Sequence, residues 1–336
     1  MKLSIIIPCY NCSKTIGRLL DSIVNNDLEK EEYEVIIVDD KSTDDFLDIV
    51  KTYENKMNIV YTTTIRDFHC PGNTRQTGIP LIKGEWFTFI DNDDIFESNI
   101  FQAVFQTIAE NQIQYVLSTS FTRYLFETEE TFDHFKANPE TNTWLHGKFY
   151  NKKNILDKLH IHFKEDLFSH EDLYFNLSIE AALSSLQEDI FYAPELYTYK
   201  WIYRQDSLSN IKTGNLLYIE YFFEDYIQST SEPYFNYIND INKEWVKQQL
   251  FFTMLMGYFY IQGGIYRIGD NYPKRNKYIL AQLQDKICEQ FNITKNDIIN
   301  FIYNSPKEYH HYKEMSFGAC HEFIENQSFR DFILNL

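Results

Sequence analysis

Three carboxylates, Asp91, Asp93 and Asp94, follow the apolar run Trp86-Phe87-Thr88-Phe89-Ile90. Acids this close repel one another, and a cation or a set of hydrogen-bond donors relieves the repulsion. Hard divalent cations take such oxygen ligands, and Mg²⁺ commonly combines one or two carboxylates with substrate phosphates. The plainer alternative is a strand ending in an acidic turn, since Asp and Asn are common turn residues. A second acid pair, Glu171-Asp172, opens an amphipathic segment that reaches about Leu186. A carboxylate at a helix start is placed for general-base work beside a sheet edge. Acids in a first turn also stabilise the helix dipole, and Ser169 with Asp172 has the spacing of a capping box. Pro71-Gly72-Asn73-Thr74-Arg75 opens another helical segment, running to about Ile82. There Gly72 permits a close backbone approach and the helix start with Arg75 favours anions; the alternative is a simple turn with a surface arginine.

These groups need a scaffold. Leu3–Pro8 and Glu34–Val38 read as buried strands rich in β-branched residues, and Asn58–Thr62 as a third. Apolar residues at Ile16, Leu19, Leu20 and Ile23 recur with helical period, and residues 44–54 suggest a short helix. This alternation implies a parallel sheet with right-handed crossovers. Ligands of such sheets bind outside the carboxyl ends of the strands. Those ends carry Tyr10–Ser13, Asp39-Asp40 and Asp91–Asp94, so a nucleotide-sized crevice is expected there. Further on, the pattern predicts a helix over 97–112, a strand over 113–119, an irregular polar segment over 122–145 and a helical turn over 151–159. His160 and His162 alternate as on a strand face, which suits surface histidines better than a metal pair. Strand character returns over 190–203. From 211 onward the stretches 222–227, 245–260, 278–291 and 297–303 read as helices with broad aromatic faces.

The bulk numbers bound the class. The 336 residues suggest two domains, and 44% hydrophobic content supplies a substantial core. A formal net charge of −18 argues against general electrostatic binding of nucleic acid or anionic lipid. It also makes a highly anionic acceptor need a local basic groove. The 5 cysteines do not suggest a disulfide framework. Cys9 and Cys12 form a lone CxxC with no second pair to complete a zinc site, so burial as small hydrophobes is the simpler expectation. The start of the chain reads as a strand rather than a signal peptide, and no apolar run is long enough for a membrane span. A cytoplasmic protein is expected, with peripheral attachment at the inner face of the membrane as a second placement.

Taken together, five pieces resemble family 2 of the nucleotide-sugar glycosyltransferases, the inverting enzymes with the GT-A fold. They are Ile5-Ile-Ile-Pro8-Cys-Tyr10-Asn11, Val38-Asp39-Asp40-Lys-Ser42-Thr43-Asp44, Gly72-Asn-Thr-Arg75-Gln76 with Lys83-Gly84-Glu85, Phe89-Ile-Asp91-Asn-Asp93-Asp94, and Glu171-Asp172. Looser likenesses occur at Trp144–Tyr150 and at Tyr203-Arg204…Ser207. The resemblance implies an α/β GT-A domain over 1–210, with a nucleotide-sugar half over 1–115 and an acceptor half over 116–210. A mainly helical module over 211–336 would follow and could serve homo-oligomer formation. It implies a UDP-sugar donor, a divalent metal (Mn or Mg), and a carbohydrate or glycoconjugate acceptor. The activity would be that of a hexosyl- or N-acetylhexosaminyl-transferase of bacterial-type cell-surface polysaccharide or glycoconjugate synthesis.

By the same resemblance Pro8 and Tyr10 line the nucleoside pocket, Asp40 bonds the base, and Arg75 faces the base or diphosphate. Asp91 contacts the ribose and Asp93 ligates the metal, while Asp94 only hydrogen-bonds the turn. Asp172 is the general base with Glu171 beside it, and Arg204 and Ser207 approach the diphosphate. Trp144 and His146 fall on the acceptor side. The chain departs from the family pattern at Lys41, at Gln76, and at Asp206, where many members supply a metal-binding histidine. A non-catalytic nucleotide- or carbohydrate-binding module is the alternative. A nucleotidyltransferase is a poorer one, since Pro8-Cys-Tyr-Asn-Cys12 is not a glycine-rich phosphate loop.

Overall fold

In a computed structural model, the protein is described at residues 1–65, 70–125, 127–128, 130–203, 216–263, 272–304 and 328–336. It divides into two compact units: Met1–Leu167 with Glu171–Gly214, and Phe168–His170 with Asn215–Leu336. The first unit is built on one mixed sheet. Its strands are β1 (Leu3–Cys9), β2 (Tyr33–Asp39), β3 (Ile59–Thr63), β4 (Trp86–Phe89), β5 (Ile95–Phe96), β6 (Val116–Leu125), β7 (Glu130–Phe135), β8 (Lys148–Asn151) and β9 (Phe191–Ile202). The spatial order is β3-β2-β1-β4-β8-β6-β9-β5, with β7 paired to β6.

The sequence explains the parallel half. Every residue of β1 and β2 is buried, as expected of strands covered on both faces. Helix α1 (Ile16–Val24) buries Ile16, Leu19, Leu20 and Ile23, the residues that carry the helical period. Helices α2 (Phe46–Lys51), α3 (Pro71–Gly78) and α4 (Phe101–Glu110) complete this half. β1 pairs in parallel with β2 and β4, and Cys9 lies opposite Asp39. The carboxyl ends of all three strands therefore open on one edge, as expected.

Lys83-Gly84-Glu85 owes its form to this packing. The buried Glu34 carboxylate accepts from Ser4 Oγ at 2.7 Å and from Lys83 N at 2.7 Å, and Gly84 N donates to Ser4 Oγ at 2.8 Å. A Cβ on Gly84 would lie 2.6 Å from Ser4 N, so the chain can cross β1 only with glycine here. The first two strand-end turns are laced together. Ser42 Oγ accepts from Asn11 N at 2.9 Å, Asn11 Oδ1 accepts from Thr43 N at 2.8 Å, and Asp44 Oδ2 accepts from Ser13 N at 2.7 Å. Cys9 and Cys12 are both buried, and burial pushes the Cys9 thiol up.

Three sequence expectations fail. The segment 122–145 is not irregular throughout: β6 continues to Leu125 and turns back as β7. Its polar residues hid an aromatic face, on which Phe121 stacks on Phe135 at 4.8 Å and the Arg123 guanidinium lies 4.2 Å over Trp201. His160 and His162 lie on no strand; His160 has a φ of 54°, and the next residue after His162, Phe163, donates its N–H to Gln76 Oε1 at 2.9 Å. The expected capping box is absent. Ser169 Oγ donates to Asp225 instead, and α5 (Glu171–Leu186) begins after His170 at a φ of 60°.

The second unit is helical: α6 (Leu216–Asn236), α7 (Lys243–Gly263), α8 (Tyr272–Phe291), α9 (Lys295–Asn304) and α10 (Ser328–Leu334). Its core is aromatic, with Tyr258 against Phe329 at 5.1 Å and Phe332 at 4.9 Å, and with Phe222, Leu250, Met254 and Leu280 buried. Among the described residues no helix is long and apolar enough to cross a membrane.

Candidate active site

The acidic turn sits where β4 ends. Its four polar residues have different surroundings. Asn92 Nδ2 donates to the Pro8 carbonyl at 2.8 Å, tying the turn to the end of β1. The Asp93 carbonyl accepts from Arg18 Nη2 at 2.6 Å, which leaves its carboxylate out of that bond. Asp94 is buried and does more than bond the turn. Its Oδ1 accepts from Ile202 N at 2.7 Å and its Oδ2 from the Tyr199 hydroxyl, so it clamps β9 beside the turn. Burial, with Asp93 and Asp91 nearby, pushes the Asp94 carboxyl up well above the usual range. The expectation of a purely local role for Asp94 is thus corrected, because its partners lie more than a hundred residues away and no local pattern names them.

Arg75 organises the other side. It is 5% exposed, donates from Nη2 to Asp91 Oδ1 at 2.6 Å and from Nη1 to Glu171 Oε1 at 2.8 Å. Burial opposes its charge, but Asp91 and Glu171 outweigh that and hold it firmly protonated. In return the guanidinium overcomes the effect of burial on Asp91 and lowers its carboxyl. Gly72 makes the approach possible: a Cβ there would stand 2.8 Å from Glu171 Cβ.

Asp172 follows at the start of α5. Burial first, and the adjacent Glu171 second, push its carboxyl up to about 7, against the pull of Arg75 and of the Leu173 N–H that bonds it at 2.8 Å. A carboxylate poised there can take a proton near neutral pH.

The residues expected on the nucleoside side lie on the same edge. Tyr10 is half exposed, at 52%, while Asp40 is buried and accepts from Thr64 Oγ1 at 2.7 Å. Asp39, beside it, holds the Ser42 N–H at 2.8 Å and the Tyr61 hydroxyl at 3.0 Å. Arg204 and Ser207 lie outside the described residues.

His146, expected on the acceptor side, stands near the acids of the turn. Its ring is stacked on Trp201 at 5.4 Å and meets Tyr199 at 4.7 Å. Its Nε2 is 4.0 Å from Asp94 Oδ2, and its buried Nδ1 has no hydrogen-bond partner among the described residues. Burial pulls the imidazole down to about 4, so it stays neutral. Asp91, Asp94 and His146 offer ligand atoms within 4.8 Å of one another. A neutral imidazole with carboxylates is a donor set that a divalent metal ion can use. Trp144 packs edge-on against Phe121 at 5.6 Å, and its carbonyl accepts from Lys148. Sequence patterns do not single out Lys148. It is 1% exposed, donates to the Thr141 carbonyl at 3.1 Å, and is pulled down to about 7 by burial. Nothing in a Gly-Lys-Phe-Tyr run announces a buried ammonium.

Residues 4–169 match the family model described as Glycosyl transferase family 2. These residues form a domain of this family. A poly(ribitol-phosphate) beta-glucosyltransferase of Bacillus spizizenii is 42% identical over 113 residues, 33% of this chain and 18% of that protein. The chain thus spans under a fifth of the length of that relative. TarP of Staphylococcus aureus, a poly(ribitol-phosphate) beta-N-acetylglucosaminyltransferase, is 24% identical over 264 residues, 74% of each chain. The crystal structure of S. aureus TarS 1-349 in complex with UDP-GlcNAc superimposes with a TM-score of 0.68 at 20% identity, covering 99% of this chain and 90% of that one. The chain accordingly has the GT-A fold, with a helical C-terminal region.

Proposed function

We propose that this chain transfers a sugar from a UDP-sugar to a hydroxyl of a glycoconjugate polymer, with inversion at the anomeric carbon. The observation that carries the reading is Asp172: a carboxyl raised to about 7 at the start of α5, joined through Glu171 and Arg75 to Asp91 of the acidic turn. The UDP-GlcNAc complex of TarS supports an N-acetylhexosaminyl donor, with a hexosyl donor second. The poly(ribitol-phosphate) transferases among the relatives support a polyol-phosphate acceptor.

In this reading Pro8, Tyr10 and Asp40 hold the uridine, and Asp91 meets the ribose. The residues of the acidic turn fit a divalent cation. Asp93 and Asp91 would supply oxygen, and His146, whose Nε2 lies 4.0 Å from Asp94 Oδ2, would supply nitrogen. Asp94 serves less well, since both its oxygens already bond β9. When bound, such an ion offsets the charge of the departing diphosphate. Asp172 accepts the proton of the acceptor hydroxyl, which attacks opposite the leaving group in a single displacement, so an α-linked donor yields a β-linked product. Arg75 has both Nη groups engaged by carboxylates, so it supports this geometry more than it grips phosphate directly.

The test is release of UDP from UDP-GlcNAc and UDP-glucose, with and without poly(ribitol phosphate), with Mn²⁺ present and after EDTA. The expected result is release that rises with acceptor, falls with EDTA, and gives a β-linked product by NMR. UDP binding with no release in any arm would leave only a binding module. An α-linked product would overturn the single displacement.

A further inference from the structure

The three residues before the Glu171-Asp172 pair belong to a different unit from the pair itself. Phe168–His170 pack as part of the helical unit, although Leu167 and Glu171 on either side belong to the α/β unit. Their attachment is dense for so short a piece. Asp225, on α6 and 4% exposed, accepts three hydrogen bonds at one oxygen, Oδ2. The donors are Phe168 N at 2.9 Å, Ser169 N at 2.9 Å and Ser169 Oγ at 3.2 Å. Phe168 stacks on Tyr221 at 5.1 Å, and the His170 ring meets Phe222 at 4.4 Å and Tyr226 at 5.5 Å. His170 takes a φ of 60°, a left-handed conformation unusual outside glycine, and its Nδ1 lies 2.9 Å from Ser169 Oγ. Residues held in such a conformation need surroundings that over-determine them.

We propose that Asp225 is a positioning residue for the general base: by fixing the backbone of residues 168–169 it sets where α5 starts, and so where Asp172 points. The helical unit thereby takes part in catalysis through the chain itself. Two backbone N–H groups ahead of a helix start would otherwise go unsatisfied, and Asp225 answers both with a charge-assisted bond. The carboxylate touches no reacting atom. Its effect travels through two peptide units to Glu171, whose side chain in turn is held by Arg75 at 2.8 Å. This inference rests on the assignment of Asp172 as base, so its test needs one arm that does not.

That arm is amide hydrogen exchange on the full chain, comparing wild type with Asp225→Ala, Asp225→Asn and Ser169→Ala. Asp225→Ala is expected to speed exchange at residues 168–175 at least tenfold and leave β1, β2 and β4 unchanged. Asp225→Asn, which keeps an acceptor oxygen, should restore most of the protection. In the second arm, UDP release from UDP-GlcNAc should fall at least tenfold in Asp225→Ala with the Kd for UDP unchanged within twofold, and recover in Asp225→Asn. Ser169→Ala removes one bond of the three and guards against a variant that fails to fold; it should fall between wild type and Asp225→Ala in both arms. Unchanged exchange at 168–175 overturns the anchor. Faster exchange with wild-type UDP release overturns its catalytic consequence. A wild-type protein that releases no UDP overturns the proposed function, and the exchange arm then still decides whether Asp225 holds the start of α5.

Discussion

Arg75 Nη1 donates to Glu171 Oε1 at 2.8 Å across ninety-six residues of chain. The other Nη reaches Asp91, so one buried guanidinium fixes the distance between the acidic turn and the second acid pair. The charge of Arg75 thus serves the geometry of the site.

That bridge should be costly to break. Arg75→Met leaves the Glu171 carboxylate partly buried without its partner, at 12% side-chain exposure. Removing one member of a buried ion pair typically costs about 3–5 kcal/mol. Urea unfolding should show a loss in this range, and Arg75→Lys should recover part of it. A loss below about 1 kcal/mol would mean that the carboxylates find other partners.

The raised Asp172 carboxyl should appear twice, in rate and in stability. UDP release should decline as pH falls through about 7, where Asp172 takes up a proton. Stability moves the other way. A carboxyl raised above its unfolded value keeps its proton longer when folded, so the folded state loses stability as pH rises from about 4 to about 7. Asp172→Asn mimics the protonated form. It should abolish transfer and preserve UDP affinity. It should also gain on the order of 2–4 kcal/mol over wild type at pH 8, since each tenfold change in proton affinity is worth about 1.4 kcal/mol, and most of that gain should be gone at pH 4. Thermal melts at the two pH values check the second part; equal melting differences would reject the raised carboxyl.

Gly72→Ala should act at a distance of one helix. The added Cβ meets Glu171 Cβ at 2.8 Å, closer than such carbons pack, so α3 or the start of α5 must move. Misplacing a base by an ångström can cost about 10²-fold in rate. Transfer should fall by roughly that factor while calorimetry with UDP changes little; a near-normal rate would show that the helix start gives way without consequence.

The acidic turn divides into separable parts. Asp93→Ala should remove the Mn²⁺-dependent part of UDP binding. His146→Phe keeps the stack with Trp201 and Tyr199 but deletes both ring nitrogens, and should weaken Mn²⁺ binding about tenfold. Asp94→Asn should chiefly loosen β9, read as a lower melting temperature with Mn²⁺ affinity retained. Paramagnetic titration of Mn²⁺ separates the three, and an unaltered titration in His146→Phe would remove that residue from the ligand set.

Much of this site is written locally. β1, β2 and β4 are apolar runs of strand length, and parallel pairing forces their polar ends onto one edge. The order of Pro8, Asp40, Arg75, Asp91 and Asp172 along the chain therefore sufficed to name the family. The glycines at 72 and 84 were visible too, although only the contacts with Glu171 and Ser4 say why they are glycines. Composition pointed to helices beyond residue 211, and the structure extends each past its apolar window, because polar residues continue a helix whose packed face is already secured.

What the sequence could not carry is pairing between groups far apart in the chain. Asp94 reads as a turn residue until Tyr199 and Ile202 arrive beside it on β9. Ser169 reads as a helix cap until Asp225 claims its hydroxyl. His146 reads only as an acceptor-side residue and Lys148 carries no signal at all until burial strips both of water, leaving the imidazole neutral and the ammonium held by two carbonyls. Burial and hydrogen-bond competition decide these cases, and both are set by which elements the fold brings together. The residue types determined the strands, the edge and the chemistry available there; the tertiary structure alone decided which carboxylate is paired, which is poised, and which merely holds a strand in place.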